Sequence, residues 1–260
     1  MASHAHHGPD YLAHHFDTPK QQFDAAKLGI WAFLAQEILF FSGLFVAYGI
    51  FRFWYPAAFS VGSHLLNWQL GGLNTCVLLF SSWTAAMSVR SAQIGEQKGV
   101  PADKQLKLAG RAWTTRFMLI TIVCAFGFMI IKYMEYSHKF HAGFLPGQYW
   151  GHPYFDLAAS APAEFAEELR AAISAAAYTG GGEGGVPYHI RSFYGIYYVM
   201  TGLHGIHVVI GIFLIAWIAM KNHKGAFSAR YNTPVDIVAL YWHLVDLVWI
   251  FLFPLLYLID

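Results

Sequence analysis

Charged residues are scarce in this chain, because Asp, Glu, Lys and Arg make up only 12% of its 260 residues. A soluble domain carries about 25% charged residues, so the composition argues against a soluble globular protein. The formal net charge of +1 gives no support to nucleic-acid binding. Cysteine is also rare. Cys76 and Cys124 both fall in apolar segments, where they are expected as small buried hydrophobes rather than a disulfide or a metal pair.

Apolar residues, in contrast, are abundant at 57%, and they are concentrated in five segments long enough to cross a bilayer. The pattern predicts transmembrane helices at about 27–53, 69–90, 112–136, 192–220 and 235–259. Only helices satisfy every backbone hydrogen bond within one membrane segment. We therefore expect an all-α, polytopic membrane helix bundle, with residues 1–260 forming a single membrane domain.

The basic residues indicate the orientation of this bundle. Eleven Lys and Arg residues lie on the side of the N-terminus, and five lie on the opposite side. The larger set is Lys20, Lys27, Arg90, Lys98, Lys104, Lys107, Arg111, Arg116, Lys221, Lys224 and Arg230, and the smaller is Arg52, Lys132, Lys139, Arg170 and Arg191. The positive-inside rule predicts a cytoplasmic N-terminus and an extracytoplasmic C-terminus. The first residues have no apolar h-region, so we expect the first helix to direct insertion.

One large insertion, residues 139–190, separates the third and fourth predicted helices and is extracytoplasmic on this topology. Within it, Ala163–Tyr178 predicts a short amphipathic helix. Pro162 precedes this helix, and the glycine-rich run Thr179–Gly185 follows it, which is the usual punctuation of a helix.

Polar groups inside the first and fourth segments are candidate functional residues. Glu37 has no basic residue one turn away, and a charged group at such depth costs about 2.5–3.5 kcal/mol on insertion scales. We expect either a hydrogen-bonding partner on another helix or a functional role. His204 and His207 are three residues apart and share a predicted helix face. A lone His-x-x-His pair is weak evidence for a metal, so we predict histidines packed in the bundle or facing lipid or a partner subunit.

The fifth segment places Asp236, His243 and Asp246 on one helix face. His243 and Asp246 are three residues apart and can hydrogen-bond along the helix, so that each lowers the cost of burying the other. A polar clasp between helices is the main interpretation of this face, and a proton relay is the alternative.

The second and third segments carry polar groups that we interpret as structural. Lys132 and Glu135 are spaced for an i, i+3 ion pair, and Tyr136 follows them. Asn74 lies on a stripe of small residues in the second segment, which is typical of a helix-packing face.

These runs resemble, in chain order, subunit III of the haem–copper terminal oxidases, and most closely the cytochrome c oxidase subunit III family. Thr201–Gly211 (TGLHGIHVVIG) and Tyr241–Phe253 (YWHLVDLVWIFLF) are similar to the family signatures TGxHGxHV and YWHFVDxVWxxL. The other matching runs are Trp31–Tyr48, which places Glu37 on the family's membrane carboxylate, Leu73–Thr84, and the pair Glu135–Tyr136. Many members have seven helices, so the chain resembles the short five-helix bacterial form.

The resemblance implies an accessory, metal-free subunit of a proton-pumping complex that transfers electrons from cytochrome c to oxygen. It implies haem and copper in partner subunits, and bound phospholipid in this chain. The implied partners are the catalytic subunit I, subunit II, a small subunit IV and membrane lipids, in the bacterial cytoplasmic membrane. The implied role is to stabilise the catalytic subunit and to sustain proton uptake and turnover lifetime. We further expect residues 139–190 to contact another subunit, a cytochrome or another respiratory complex.

Glu37, His204, His207, His243 and Asp246 become candidates for a proton, oxygen or lipid pathway on this interpretation. Three alternatives stay open. The chain could serve a quinol oxidase or a nitric oxide reductase. It could be an independent transporter or proton channel built on the same five residues, although inverted repeats are not evident. It could also be a membrane cytochrome with His204 and His243 as haem ligands.

Overall fold

The computed structural model describes residues 11–94, 104–141, 163–175, 189–228 and 231–259. In these ranges the chain forms helices α1 (Pro19–Trp54), α2 (Pro56–His64), α3 (Trp68–Ile94), α4 (Lys104–His141), α5 (Ala163–Ala175), α6 (Ile190–His223) and α7 (Thr233–Tyr257). Helices α1, α3, α4, α6 and α7 are long and apolar enough to cross a membrane. The predicted all-α, polytopic fold with five spanning helices is confirmed.

Helix α1 begins well before the apolar run from which it was predicted. It starts at Pro19 rather than near residue 27. The Thr18 hydroxyl accepts a hydrogen bond from the Gln21 backbone N–H at 3.2 Å, as an N-cap residue does. Proline is favoured at the next position, because its missing N–H would have no partner there. The polar residues 19–26 are therefore helical, although they carry no membrane signal.

Helix α2 was not predicted, because nine residues are too few to span a membrane or to show a clear period. Pro56 occupies its first turn. Its inner residues Phe59 and Val61 are fully buried. A Cβ atom at Gly62 would lie 2.3 Å from the Phe193 ring, so the close approach of this helix to α6 requires glycine.

The described chain divides into two compact units. The first unit comprises residues 1–38, 81–122 and 210–244, and the second comprises residues 39–80, 123–209 and 245–260. Each unit takes segments from α1, α3, α4, α6 and α7. The expectation of a single membrane domain stays a prediction.

Within the first unit, short polar contacts join the helices. The Trp242 indole Nε1 donates to the Ser81 hydroxyl at 3.0 Å, which links α7 to α3. The Asn222 side-chain amide donates to the Arg111 carbonyl at 3.0 Å, which links α6 to α4. After α6, Gly225 adopts φ +83°, a left-handed conformation that glycine adopts without strain and that commonly ends a helix.

Within the second unit, α7 is held to α1 and α3. The Tyr48 hydroxyl donates to the Leu255 carbonyl. The Trp249 indole donates to the Thr75 hydroxyl at 3.1 Å. Large aromatic side chains, among them Phe128, Tyr197 and Trp249, are buried here, so aromatic packing supplies much of the unit's core.

Helix α5 corresponds to the amphipathic helix expected within the insertion. The structure describes it over Ala163–Ala175. The last predicted helical residues, 176–178, and the run Thr179–Gly185 lie outside the described residues. Helix α5 contacts α2. Its Glu168 carboxylate lies 4.0 Å from Lys139 Nζ and 3.9 Å from His138 Nε2. These charges place α5 against the end of α4.

Candidate functional site

A buried ion pair forms the centre of the polar interior of the second unit. Lys132 Nζ lies 2.9 Å from Glu135 Oε2 on the same helix, and their side chains are only 8% and 5% exposed. Lys132 Nζ also donates to the Tyr257 hydroxyl at 2.7 Å, and that hydroxyl donates to Glu135 at 2.6 Å. The i, i+3 pair expected from the sequence is present in the structure. Tyr257 of α7 contacts both of its members, so the three side chains form one hydrogen-bonded network.

Aromatic rings surround the ammonium group of Lys132. The ring centroids of Trp249, Tyr197, Tyr257 and Tyr136 lie 4.9, 5.2, 5.3 and 5.6 Å from Nζ. A cation within about 6 Å of an aromatic face is attracted by the ring quadrupole, and more strongly where water is excluded. The rings and Glu135 together therefore compensate for the buried positive charge.

Tyr136 joins this cluster to α6. The Thr201 hydroxyl donates to the Tyr197 carbonyl at 2.6 Å. Because a threonine hydroxyl has one proton, Tyr136 must be the donor in its own hydrogen bond with Thr201. The Glu-Tyr pair at the end of α4 thus binds two different helices.

His204 and His207 contact different neighbours despite their spacing. The His204 ring is 1% exposed and packs between Phe128 at 5.5 Å and Trp249 at 5.3 Å. The His207 ring packs against Phe41 of α1 at 5.3 Å, and its Nδ1 lies 2.8 Å from the Leu203 carbonyl. The structure therefore does not bring the two imidazoles together as a ligand pair.

His243 and Asp246 also differ in their surroundings. In the first unit, His243 Nδ1 lies 2.6 Å from the Ser82 hydroxyl of α3. In the second unit, Asp246 is 2% exposed and interacts electrostatically with Cys124 of α4. His243 thus links α7 to α3, and the polar role expected for the whole face stays a prediction.

Glu37 and Asp236 belong to the first unit. Glu37 is only partly buried and interacts electrostatically with Tyr241 of α7. Asp236, in the first turn of α7, forms an ion pair with Lys27 of α1. The two candidate carboxylates therefore both lie where α1 meets α7.

Among the residues that the structure describes, no three His, Cys, Asp or Glu side chains converge closely enough to hold a metal ion. Some of the ionisable groups instead contact side chains of neighbouring helices, as His243 does with Ser82 and Asp236 with Lys27. This arrangement can join helices and hold polar groups at membrane depth.

Several partners in these clusters were missed from the sequence. They are Lys27, Ser82, Tyr197, Trp249 and Tyr257. A signal existed for Tyr197, because it shares a helical stripe with Thr201 and His204. For the others the contact joins residues more than 100 positions apart in the chain, and the sequence pattern carries no information on such pairing.

With five spanning helices and a polar interior that links them, the chain is a multi-pass membrane protein of the helix-bundle class. The family model for "Cytochrome c oxidase subunit III" matches residues 187–260. This segment contains both His204 and His207, as well as His243 and Asp246.

Known proteins extend this similarity over nearly the whole chain. "Quinol oxidase subunit 3" of Bacillus subtilis is 27% identical over 257 residues, which cover 99% of this chain and 97% of that protein. "Cytochrome c oxidase subunit 3" of Synechocystis sp. is 29% identical over 91% of this chain and 76% of that protein. "Heme-copper oxidase subunit I+III" of Aeropyrum pernix is 24% identical over 96% of this chain and 24% of that protein.

The chain is therefore similar, over nearly its whole length, to subunit III of the haem–copper oxidases. Relatives that are named as oxidase subunits support a place for the chain in a respiratory oxidase complex.

Proposed function

We propose that this chain is the non-catalytic, metal-free subunit III of a proton-pumping oxidase in a bacterial cytoplasmic membrane. The observation that carries the proposal is that buried polar groups of the chain bond to one another. Lys132, Glu135 and Tyr257 bind one another within the bundle, as expected of a packing scaffold. Haem and copper belong to partner subunits, and bound phospholipid covers part of the apolar surface.

The partners are subunit I, subunit II and a small subunit IV. The relative from Aeropyrum pernix supports subunit I as the direct partner, because its printed name joins subunits I and III in one protein. The large exposed side chains of α1, such as Trp31 at 61% and Leu39 at 72%, offer apolar surface for another helix or for lipid. The basic residues support a cytoplasmic N-terminus.

The electron donor of the complex is cytochrome c in this proposal. Relatives named for cytochrome c oxidase and for quinol oxidase are both similar to the chain, so quinol is the second candidate. Initial oxygen uptake by the purified complex, measured with reduced cytochrome c and then with a quinol, separates the two. Uptake with quinol alone would overturn the choice of cytochrome c.

The accessory role predicts what happens when the chain is removed. A complex depleted of this subunit should begin oxygen reduction at a rate close to that of the intact complex. It should then lose activity after fewer turnovers, because the catalytic subunit has lost its lateral support. Immediate loss of oxygen reduction, with the haem spectrum unchanged, would show that the chain takes part in the chemistry.

Glu37 gives a sharper test of the same role. Glu37→Gln replaces the carboxyl group near Tyr241 by an amide and keeps the size of the side chain. We expect the initial rate to be retained and the lifetime or thermal stability of the complex to change. Asp24→Asn, at an exposed position of the same helix, is the matched control and should change neither. Abolished initial oxygen reduction with intact haems would contradict the proposal for Glu37.

A further inference from the structure

Gln36 places an uncharged polar side chain inside the apolar run of α1, in the first unit. It follows Lys27 by nine positions, which is about 14 Å along a helix axis. The hydrocarbon core of a bilayer is about 30 Å thick, so Gln36 lies near its middle. The residue is exposed, and no hydrogen bond joins its amide to another residue that the structure describes.

Lipid does not satisfy this amide. A carboxamide offers two donors and an acceptor oxygen, whereas hydrocarbon tails offer no hydrogen-bonding group. An unsatisfied polar group at this depth is costly, because water is absent there as well. Glutamine in a membrane helix is typically hydrogen-bonded to a neighbouring helix. The exposed amide therefore indicates a protein partner rather than lipid.

The face around Gln36 has room for such a helix. Gly29 and Ala32 are both exposed and lie two turns and one turn before Gln36 on the same side of α1. A Cβ at Gly29 would meet no atom within 4 Å. Leu28 and Phe33, which are 73% and 36% exposed, flank these small residues. Small residues let a second helix backbone approach closely.

Helix α1 is also the span with the most uncovered surface. Of the five spans that the structure describes, it buries the smallest share of its apolar stretch within the chain, 17% against 28–56%. The face that carries Gln36 is therefore open to a partner from outside this chain.

We propose that a transmembrane helix of another oxidase subunit packs on this face of α1 and hydrogen-bonds to the Gln36 carboxamide through a polar side chain of its own. The choice of partner rests on the proposed function, in which other subunits supply membrane helices. Gly29 and Ala32 admit the helix backbone, and Gln36 fixes the depth at which it binds.

Replacement of Gln36 in the intact complex tests the hydrogen bond. The assay measures how much of this chain is released from the haem-bearing subunits as detergent is increased. Gln36→Leu should raise the released-to-bound ratio about 3- to 30-fold, the range expected for one hydrogen bond between membrane helices. Gln36→Asn keeps an amide and should release less. If the face meets lipid, Gln36→Leu removes an unpaired amide, and unchanged or improved retention would overturn the proposal.

Gln69→Leu is the matched control. Gln69 is an exposed glutamine in the first turn of α3, away from the face of α1, so its replacement should leave retention unchanged. A loss as large as that of Gln36→Leu would show that the effect is not specific to this face and would overturn the assignment.

Photocrosslinking identifies the occupant. A photoreactive phenylalanine analogue in place of Leu28, in the purified active complex, should crosslink this chain to another oxidase subunit. A crosslink to lipid alone, or to a second copy of this chain, would overturn the proposal. Haem bands and cyanide-sensitive oxygen uptake of the same sample separate this test from that of the proposed function. An active complex without the crosslink rejects only the helix contact, whereas a chain that purifies without haem-bearing subunits rejects both.

Discussion

Removal of the Glu135 carboxylate should strongly destabilise this protein. Glu135→Gln leaves the ammonium of Lys132, whose side chain is 8% exposed, without its counter-charge. It also weakens the hydrogen bond from the Tyr257 hydroxyl, whose one proton faces both carboxylate oxygens, at 2.6 and 2.8 Å. Breaking a buried ion pair from one side costs about 3–5 kcal/mol, and the aromatic rings around Lys132 return only about 1–2 kcal/mol of this.

The double variant Lys132→Met/Glu135→Leu isolates the cause. Apolar residues of similar volume are often neutral or stabilising replacements for a buried ion pair. We therefore expect the double variant to recover most of the loss caused by Glu135→Gln. Tyr133→Phe is the control and should be neutral, because Tyr133 lies on the same helix and is 73% exposed.

Thermal denaturation of the purified complex, with retention of this subunit measured in parallel, is the assay for these variants. Glu135→Gln should lower the Tm and release the subunit in milder detergent. An unchanged Tm for Glu135→Gln would refute the account of the buried pair. A double variant as unstable as the single one would show that the loss comes from packing rather than from the uncompensated charge.

Two further predictions concern packing and surface charge. Gly211→Ala should lower the free energy of unfolding by about 1–3 kcal/mol, because a Cβ there would lie 2.7 Å from the Trp242 ring. Gly205→Ala on the same helix is the control. Its Cβ would meet no atom within 4 Å, so it should be neutral in thermal denaturation. Equal effects of the two changes would contradict the close approach at Gly211. Asp236→Asn should cost less than about 1 kcal/mol, because the pair with Lys27 is partly exposed. The effect should fall further in high salt, and a large, salt-independent loss would argue against this assignment.

The existence of the five spanning helices could be predicted from the sequence, because membrane burial requires long apolar helical segments. Their ends could not. Residues 19–26 extend α1 at its N-terminal end, where Thr18 caps the helix, and they lack the long apolar run that marks a membrane span. Helix α2 was missed because it is too short to show a clear period. Its burial depends on contacts such as that of Phe59 with Phe193, which only the fold creates.

Pairs of residues within one helix of the candidate site could also be predicted from the sequence. The spacing of Lys132 and Glu135 fixes their contact within one helix. The partner of His243 could not be predicted from the sequence, because Ser82 lies 161 residues away in the chain. The spacing of His204 and His207 even suggested a shared environment, whereas their rings point to Trp249 and Phe41. Helical periodicity places residues on a face, but the neighbours of that face are decided by tertiary packing.

Purification of the tagged chain in mild detergent, with visible spectra and oxygen uptake of the eluate, tests the central claim most directly. We predict that larger subunits elute with the chain, show reduced haem bands and consume oxygen in a cyanide-sensitive reaction. The isolated chain should itself be colourless. An intact chain that elutes alone and without colour would contradict the account and favour an independent transporter. A haem band in the isolated chain would contradict it in favour of a membrane cytochrome.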